Sequence, residues 1–210
     1  MNNSSLFITF EGLDGCGKSL QASRLSEYLQ KAGRETILLH EPGSTPLGEE
    51  ISRLVKWHEA GHLSPITELF LFNASRAQLV QDTIKPALAG KKNVIVDRFT
   101  DSTLVYQGYG RGLDLEMIRQ VNEIALQGCQ PDVSILLDVP IEIAATRRKK
   151  TSDRFEAEDI SFHRKIRSGY LELAENEPER WLVIDGTLDK GLITEIVTEQ
   201  VIWLLESKEV

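Results

Sequence analysis

The stretch "FITFEGLDGCGKSLQ" at residues 7–21 constrains the fold more than any other part of the chain. An apolar run rich in β-branched and aromatic residues stops at a cluster of glycines. Beyond it, Leu20, Leu25 and Leu29 alternate with Gln21, Ser23 and Arg24 at helical spacing. That is a strand, a glycine loop and an amphipathic helix in direct succession. Gly12, Gly17, Lys18 and Ser19 fit GxxxxGK[ST], in which glycines let successive backbone N–H groups face phosphate oxygens and the helix N-terminus adds its positive dipole end. A glycine-rich turn capping a helix explains one or two of these glycines, but not the whole pattern in this context.

The rest of the chain repeats the alternation of strand and helix. Short apolar runs at 6–10, 36–39, 94–96, 133–137 and 181–184 are separated by helical patterns, which predicts five buried strands in a parallel, doubly wound α/β sheet. A length of 210 residues suits one domain with one core, and no repeat or linker-like shift divides it. The 24 basic and 32 acidic side chains leave a net charge of −8, which argues against a broad surface for a nucleic acid polymer. The start "MNNSSLF" has no basic, apolar leader, and no run approaches the roughly 20 residues of a membrane span, so a soluble cytoplasmic protein is expected. Cys16 and Cys129 form no spaced framework and are expected to be reduced. Cys16, beside Lys18 at a helix start, is expected to be reactive.

Ligands of such sheets gather beyond the carboxyl ends of the strands. After the second run, "HEPGSTPLGE" forces a turn at Pro42 and Gly43 and leaves Glu41 at its start. The third run ends in Asp97, followed by Arg98, and the fourth ends in Asp138, so either aspartate could face Ser19 and hold Mg²⁺. Arg98 beside Asp97 favours Asp97, while the "VP" after Asp138 signals a helix start and a structural role. In "SPITELFLFNASRAQLV", Ser64 and Pro65 are a helix cap and first position, and Glu68, Phe72 and Arg76 share a face. Leu69, Phe70 and Leu71 are expected in the core, whereas Phe72 could stack on a base with Arg76 gripping a phosphate one turn on. Thr103, Tyr106 and Gln107 meet on one side of a short helix, where the Gln amide could complement a base edge. Arg147, Arg148, Lys149, Lys150 and Arg154 put five cations within eight residues of an acidic chain, which suits a lid over a polyphosphate better than a solvated helix end.

In order along the chain, "FEGLDGCGKS", "EPGSTPLGE", "LFNASRAQ", "DRFTDSTLVYQG", "RGL", "PDVSILLDV" and "DRFE" resemble the thymidylate kinases, P-loop enzymes that phosphorylate dTMP. The resemblance implies a P-loop nucleoside monophosphate kinase fold, with a five-stranded parallel sheet flanked by helices and a lid at about 147–157. It implies ATP as phosphate donor, Mg²⁺ as cofactor, dTMP as substrate, dTDP as product and a homodimer. Residues Gly12, Leu13, Asp14, Gly15, Cys16, Gly17, Lys18, Ser19 and Leu20 would cradle ATP, with Ser19 and Asp97 at the metal. Phe72 would stack on thymine, Arg76 would reach the base edge, and Arg53 and Arg98 would grip the monophosphate. Ser102, Thr103 and Gln107 would line the thymine pocket, Tyr106 would crowd a ribose 2′-hydroxyl, and Asp14 and Glu41 would face the deoxyribose or the metal's waters. Some members carry an arginine inside the loop where this chain has Gly15, so catalytic charge would come from the lid, through Arg147 and Arg154, as in the bacterial-type branch.

Other classes leave weaker marks. "HEAGH" at 58–62 matches the HExxH of zinc proteases, but Gly61 and Pro65 interrupt the helix that pattern needs. A GTP-driven switch would carry an NKxD guanine reader, which the sequence lacks. A deoxynucleoside kinase shares the strand ending in Asp-Arg, yet would want a general base near a 5′-hydroxyl rather than paired arginines.

Overall fold

The computed structural model describes residues 4–57, 63–147 and 153–208. Strand β1 (Phe7–Glu11) leads through the glycine loop into α1 (Lys18–Lys31), and β2 (Thr36–His40) leads into α2 (Pro46–Trp57). Helix α3 (Pro65–Leu79) runs through a π-turn and α4 (Lys85–Ala89) to β3 (Asn93–Asp97). Beyond β3 come α5 (Thr100–Thr103), a π-helical segment at Leu104–Gly110, and α6 (Leu115–Leu126). The chain ends with β4 (Val133–Asp138), α7 (Ile141–Arg147), α8 (Ile160–Asn176), β5 (Trp181–Asp185) and α9 (Lys190–Ser207).

All four strand pairings are parallel, in the order β2-β3-β1-β4-β5. The five expected strands are all present, each ending one residue beyond its apolar run, because a polar or acidic residue at the carboxyl end completes the ladder. Burial explains the pattern: β1 is buried at every position, whereas the edge strands β2 and β5 alternate. The chain reverses direction through the sheet between β1, β3 and β4, and a crevice opens there beyond the strand ends, as the topology of doubly wound sheets requires.

Ser64 caps α3 as expected, its Oγ accepting the Thr67 N–H, with Pro65 at the first position. Leu69 is fully buried, but Phe70 is 57% exposed, contrary to its expected place in the core. The helix presents Glu68, Leu69, Asn73 and Arg76 inward, which turns Phe70 out on the far side.

Candidate active site

The glycine loop wraps the start of α1 because two backbone positions admit no side chain. Gly12 has φ 132°, and a Cβ there would stand 2.7 Å from the Leu137 carbonyl oxygen. Gly15 has φ 88°, and its Cβ would strike the Ala144 carbonyl oxygen. Lys18 folds back over the loop, its Nζ donating to the carbonyls of Gly12 (3.1 Å) and Leu13 (2.9 Å). Cys16 also belongs to this loop but is only 2% exposed, so the reactivity expected from its sequence position is opposed by burial.

Of the two candidate metal aspartates, Asp97 is the one beside the loop. The Ser19 hydroxyl donates directly to its carboxylate. Asp138 is held elsewhere, by Arg167 of α8 through Nε (2.7 Å) and Nη2 (2.8 Å). The ion pair, rather than the local strand-end contacts expected of a structural aspartate, is what engages its carboxylate. Ser19 and Asp97 are hard oxygen donors in contact at the cleft, a donor set that suits Mg²⁺.

Arg98 follows Asp97 in the left-handed backbone region, φ 69°, which costs a non-glycine residue about 1–2 kcal/mol. That turn carries its guanidinium back across the strand ends to Asp14 (2.5 Å), Ser102 (3.2 Å) and the Tyr170 hydroxyl (3.2 Å). Burial opposes its charge, but Asp14 and the surrounding oxygens outweigh that and hold it firmly protonated. Beneath it lies Glu11, fully buried, which accepts the Phe99 N–H (2.7 Å), the Ser102 hydroxyl (2.6 Å) and the Tyr170 hydroxyl (2.8 Å). Burial first, then repulsion from Asp101, pushes the Glu11 carboxyl up to about 7.

Two cavities open from this framework. The outer cleft runs along the loop past Lys18, Ser19, Asp97 and Arg147 to Leu188 and Lys190. The inner cavity is bounded by Phe72, Arg76, Phe99, Ser102, Thr103, Tyr106, Gln107 and Phe155. Phe155 stands 5.9 Å from both Phe72 and Tyr106, so three aromatic rings form one side of it. Thr103, Tyr106 and Gln107 do converge, but α5 is one turn long and the π-helical segment continues it. Arg76 is 1% exposed and fully engaged: Nε and Nη2 meet Glu41, Nη1 meets Asn73 and Asn122, and Nη2 meets Thr103. It braces the cavity wall and has no donor to spare for a phosphate. The Glu41 carboxyl is raised by burial and drawn back by Arg76. Tyr106 lies under Arg98 at 5.1 Å, its hydroxyl 3.4 Å from Asp14.

Two expected residues fall elsewhere. Arg53 is exposed on α2 and lines neither cavity, because neighbouring helical positions differ by about 100° and it is Ser52 that turns inward. Arg154 also lines neither. Its Nε donates to the Val55 carbonyl (2.8 Å) and its Nη1 pairs with Glu68 (2.7 Å), which also receives Gln107 (3.0 Å) and Arg111 (3.3 Å). Arg154 therefore ties the start of the segment 153–158 to α2 and α3. Arg147 does reach the outer cleft, its Nη1 donating to the Gly186 carbonyl at 2.9 Å. Residues 148–152 of the cation cluster and the "HEAGH" at 58–62 lie outside the described residues. Sequence reasoning missed Glu11, Lys56, Asp153, Phe155 and Tyr170. Phe155 was within reach of it, standing inside "DRFE", but a lone lysine on α2 and a tyrosine on α8 carry no signal in the sequence.

A family model described as thymidylate kinase matches residues 10–197. The chain belongs to the thymidylate kinase family. Among its curated relatives, the thymidylate kinase of Dehalococcoides mccartyi strain 195 is 48% identical, over 96% of this chain and 98% of that protein. That of Caldanaerobacter subterraneus subsp. tengcongensis is 46% identical, over 93% and 94%. Among solved structures, thymidylate kinase from Ehrlichia chaffeensis is 35% identical with a TM-score of 0.75, over 96% of this chain and 99% of that one. The thymidylate kinase fold thus accounts for the phosphate loop, the order of the strands and the position of both cavities beyond their carboxyl ends. Among the described residues, no helix is long and apolar enough to cross a membrane.

Proposed function

We propose that this thymidylate kinase transfers the γ-phosphoryl group of ATP to dTMP, forming dTDP and ADP on the route to dTTP. One observation carries the reading: a phosphate-loop cleft and an aromatic, amide-lined cavity meet at Arg98 and Asp14. ATP lies in the outer cleft with its polyphosphate on the loop, and dTMP lies in the inner cavity with its base between Phe72 and Gln107. The acceptor is an anionic phosphate oxygen, so no general base is required. The task is to bring two polyanions together in line.

Lys18 exchanges the loop carbonyls for the β- and γ-phosphates, and backbone N–H groups of the loop hold the remaining oxygens. Ser19 and Asp97 would hold Mg²⁺, which when bound neutralises and orients the phosphates. Arg98, buttressed by Asp14, Ser102 and Tyr170, grips the acceptor phosphate. Arg147 covers the transferring group and helps exclude water, which limits hydrolysis. Arg154 keeps the segment 153–158 anchored rather than touching the phosphates. The 210 residues act as one kinase unit with a lid at about 147–157, and we read the enzyme as a cytoplasmic homodimer by its resemblance to the family.

A coupled ADP-release assay with ATP, Mg²⁺ and a panel of nucleoside monophosphates tests the substrate. Clear preference for dTMP is expected. Equal rates with every pyrimidine monophosphate would contradict the assignment of the inner cavity.

A further inference from the structure

Five residues line both cavities: Asp14, Glu41, Lys56, Arg98 and Asp153. They mark where the two ligands touch. Four of them are already engaged. Asp14 holds Arg98 at 2.5 Å, Glu41 holds Arg76, and Asp153 accepts the N–H groups of Phe155 (2.9 Å) and Glu156 (3.0 Å). Lys56 differs. It is half-buried in the last turn of α2, and among the described residues its ammonium makes no hydrogen bond or ion pair. Its own backbone carbonyl accepts the Arg154 N–H (3.3 Å), and the neighbouring Val55 carbonyl takes Arg154 Nε, so the turn that presents it is tied to the lid segment.

Charge sharpens the argument. The three carboxylates at the junction face Arg76, Arg98 and Lys18, so Lys56 gives the set one net positive charge where two polyanions must meet, and without it that surplus is gone. Arg53, which the resemblance suggested for this task, points to solvent, while Ser52 faces inward from the same helix. Lys56 lies one turn beyond Ser52 on nearly the same face, since four residues advance a helix by about 400°.

We propose that Lys56 is the second cation, with Arg98, that binds the 5′-phosphate of the nucleoside monophosphate, in the place the resemblance gave to Arg53. The inference rests on the proposed dTMP reading. An ammonium on a flexible stem suits a phosphate that must be held in line with a second one, because its three donors have no fixed fork to satisfy.

The test compares calorimetric binding of dTMP and of thymidine to the full-length enzyme, wild type, Lys56→Met and Lys56→Arg. Losing one charge-assisted phosphate contact is expected to weaken dTMP binding about 10- to 100-fold. Thymidine, which lacks the phosphate, is expected to bind Lys56→Met as it binds wild type, which also shows that the variant is folded. Lys56→Arg is expected to recover most of the dTMP affinity, and the KM for ATP is expected to move less than that for dTMP. The proposal is overturned if Lys56→Met binds dTMP like wild type, if dTMP and thymidine weaken equally, if the loss falls on ATP, or if Arg53→Met shows the dTMP-specific loss instead. Failure of the wild type to bind dTMP at all would count against the substrate reading itself, and so is distinguishable.

Discussion

The division of labour between two aspartates is the sharpest consequence at the scale of single residues. Both end a buried strand, and the sequence alone leaves them equivalent except for their neighbours. Structure separates them, since Asp97 accepts from Ser19 and Asp138 from Arg167. Asp97→Asn is expected to raise the Mg²⁺ requirement and lower the maximal rate roughly a hundredfold, the effect of losing about 3 kcal/mol of transition-state electrostatics. Asp138→Asn is expected to leave the Mg²⁺ curve alone and lower Tm by only a few degrees, because Arg167 is about one-third exposed and such pairs contribute up to about 1 kcal/mol. Mg²⁺ titrations at fixed ATP and dTMP, with a melting curve for each variant, separate the two. A shift of the Mg²⁺ curve in Asp138→Asn alone would place the metal at the end of β4 and contradict the assignment to Asp97. Lys18 and Ser19 were legible in the sequence because a motif fixes their spacing within one strand-loop-helix unit, whereas Asp97, at the end of β3, was singled out only by the Arg98 that follows it. Arg53 and Arg154 were misplaced because a cation's identity is local, while the direction it points depends on helix phase and on distant partners such as Glu68.

Among the elements, α3 shows how an amphipathic helix can serve as a site wall. Its inward stripe holds Glu68, Asn73 and Arg76, all nearly excluded from water; Glu68 and Arg76 pair across to other elements, while Asn73 stays within the helix, accepting from Arg76 and donating to the Leu69 carbonyl. The sequence placed Glu68, Phe72 and Arg76 on one face correctly, since that follows from spacing of four. It could not show that Glu68 collects Gln107, Arg111 and Arg154, because those partners lie from 39 to 86 positions away along the chain. Glu68→Gln removes the charge that faces two arginines inside the protein. Breaking such a buried pair costs about 3–5 kcal/mol. The expected result is a lower Tm and faster amide hydrogen exchange at residues 153–158, with exchange in β1 and β4 changed only by the global loss. Uniform acceleration with no excess at 153–158 would show that Glu68 does not anchor that segment. The π-helical segment at Leu104–Gly110 is a second feature that periodicity misses, as one extra residue per turn leaves no mark in a seven-residue stretch.

For the molecule as a whole, the alternation of apolar runs with helical patterns was enough to read a five-stranded parallel sheet, because strands buried on both faces must be apolar almost throughout. Strand order, and hence which loops meet, came only from the structure. The centre of that assembly holds a titrating group. Glu11 has its carboxyl raised by burial from 4.5 to about 7, so the folded state binds its proton more tightly than the unfolded state does. That contribution is fully present below pH 4.5 and is lost as pH rises through about 7, a range over which it amounts to roughly 3 kcal/mol. Melting curves between pH 5 and pH 8, where the wild type is expected to lose stability with rising pH, should flatten in Glu11→Gln. An unchanged slope in that variant would assign the pH dependence to other groups. The central claim is that the two cavities are donor and acceptor sites of one phosphoryl transfer, and the most direct measurement follows the label from γ-labelled ATP in the presence of Mg²⁺ and dTMP. The account expects the label in dTDP, formed in step with ADP, with little released as inorganic phosphate and none transferred to thymidine. Label appearing chiefly in inorganic phosphate, or in dTMP when thymidine is supplied, would contradict it.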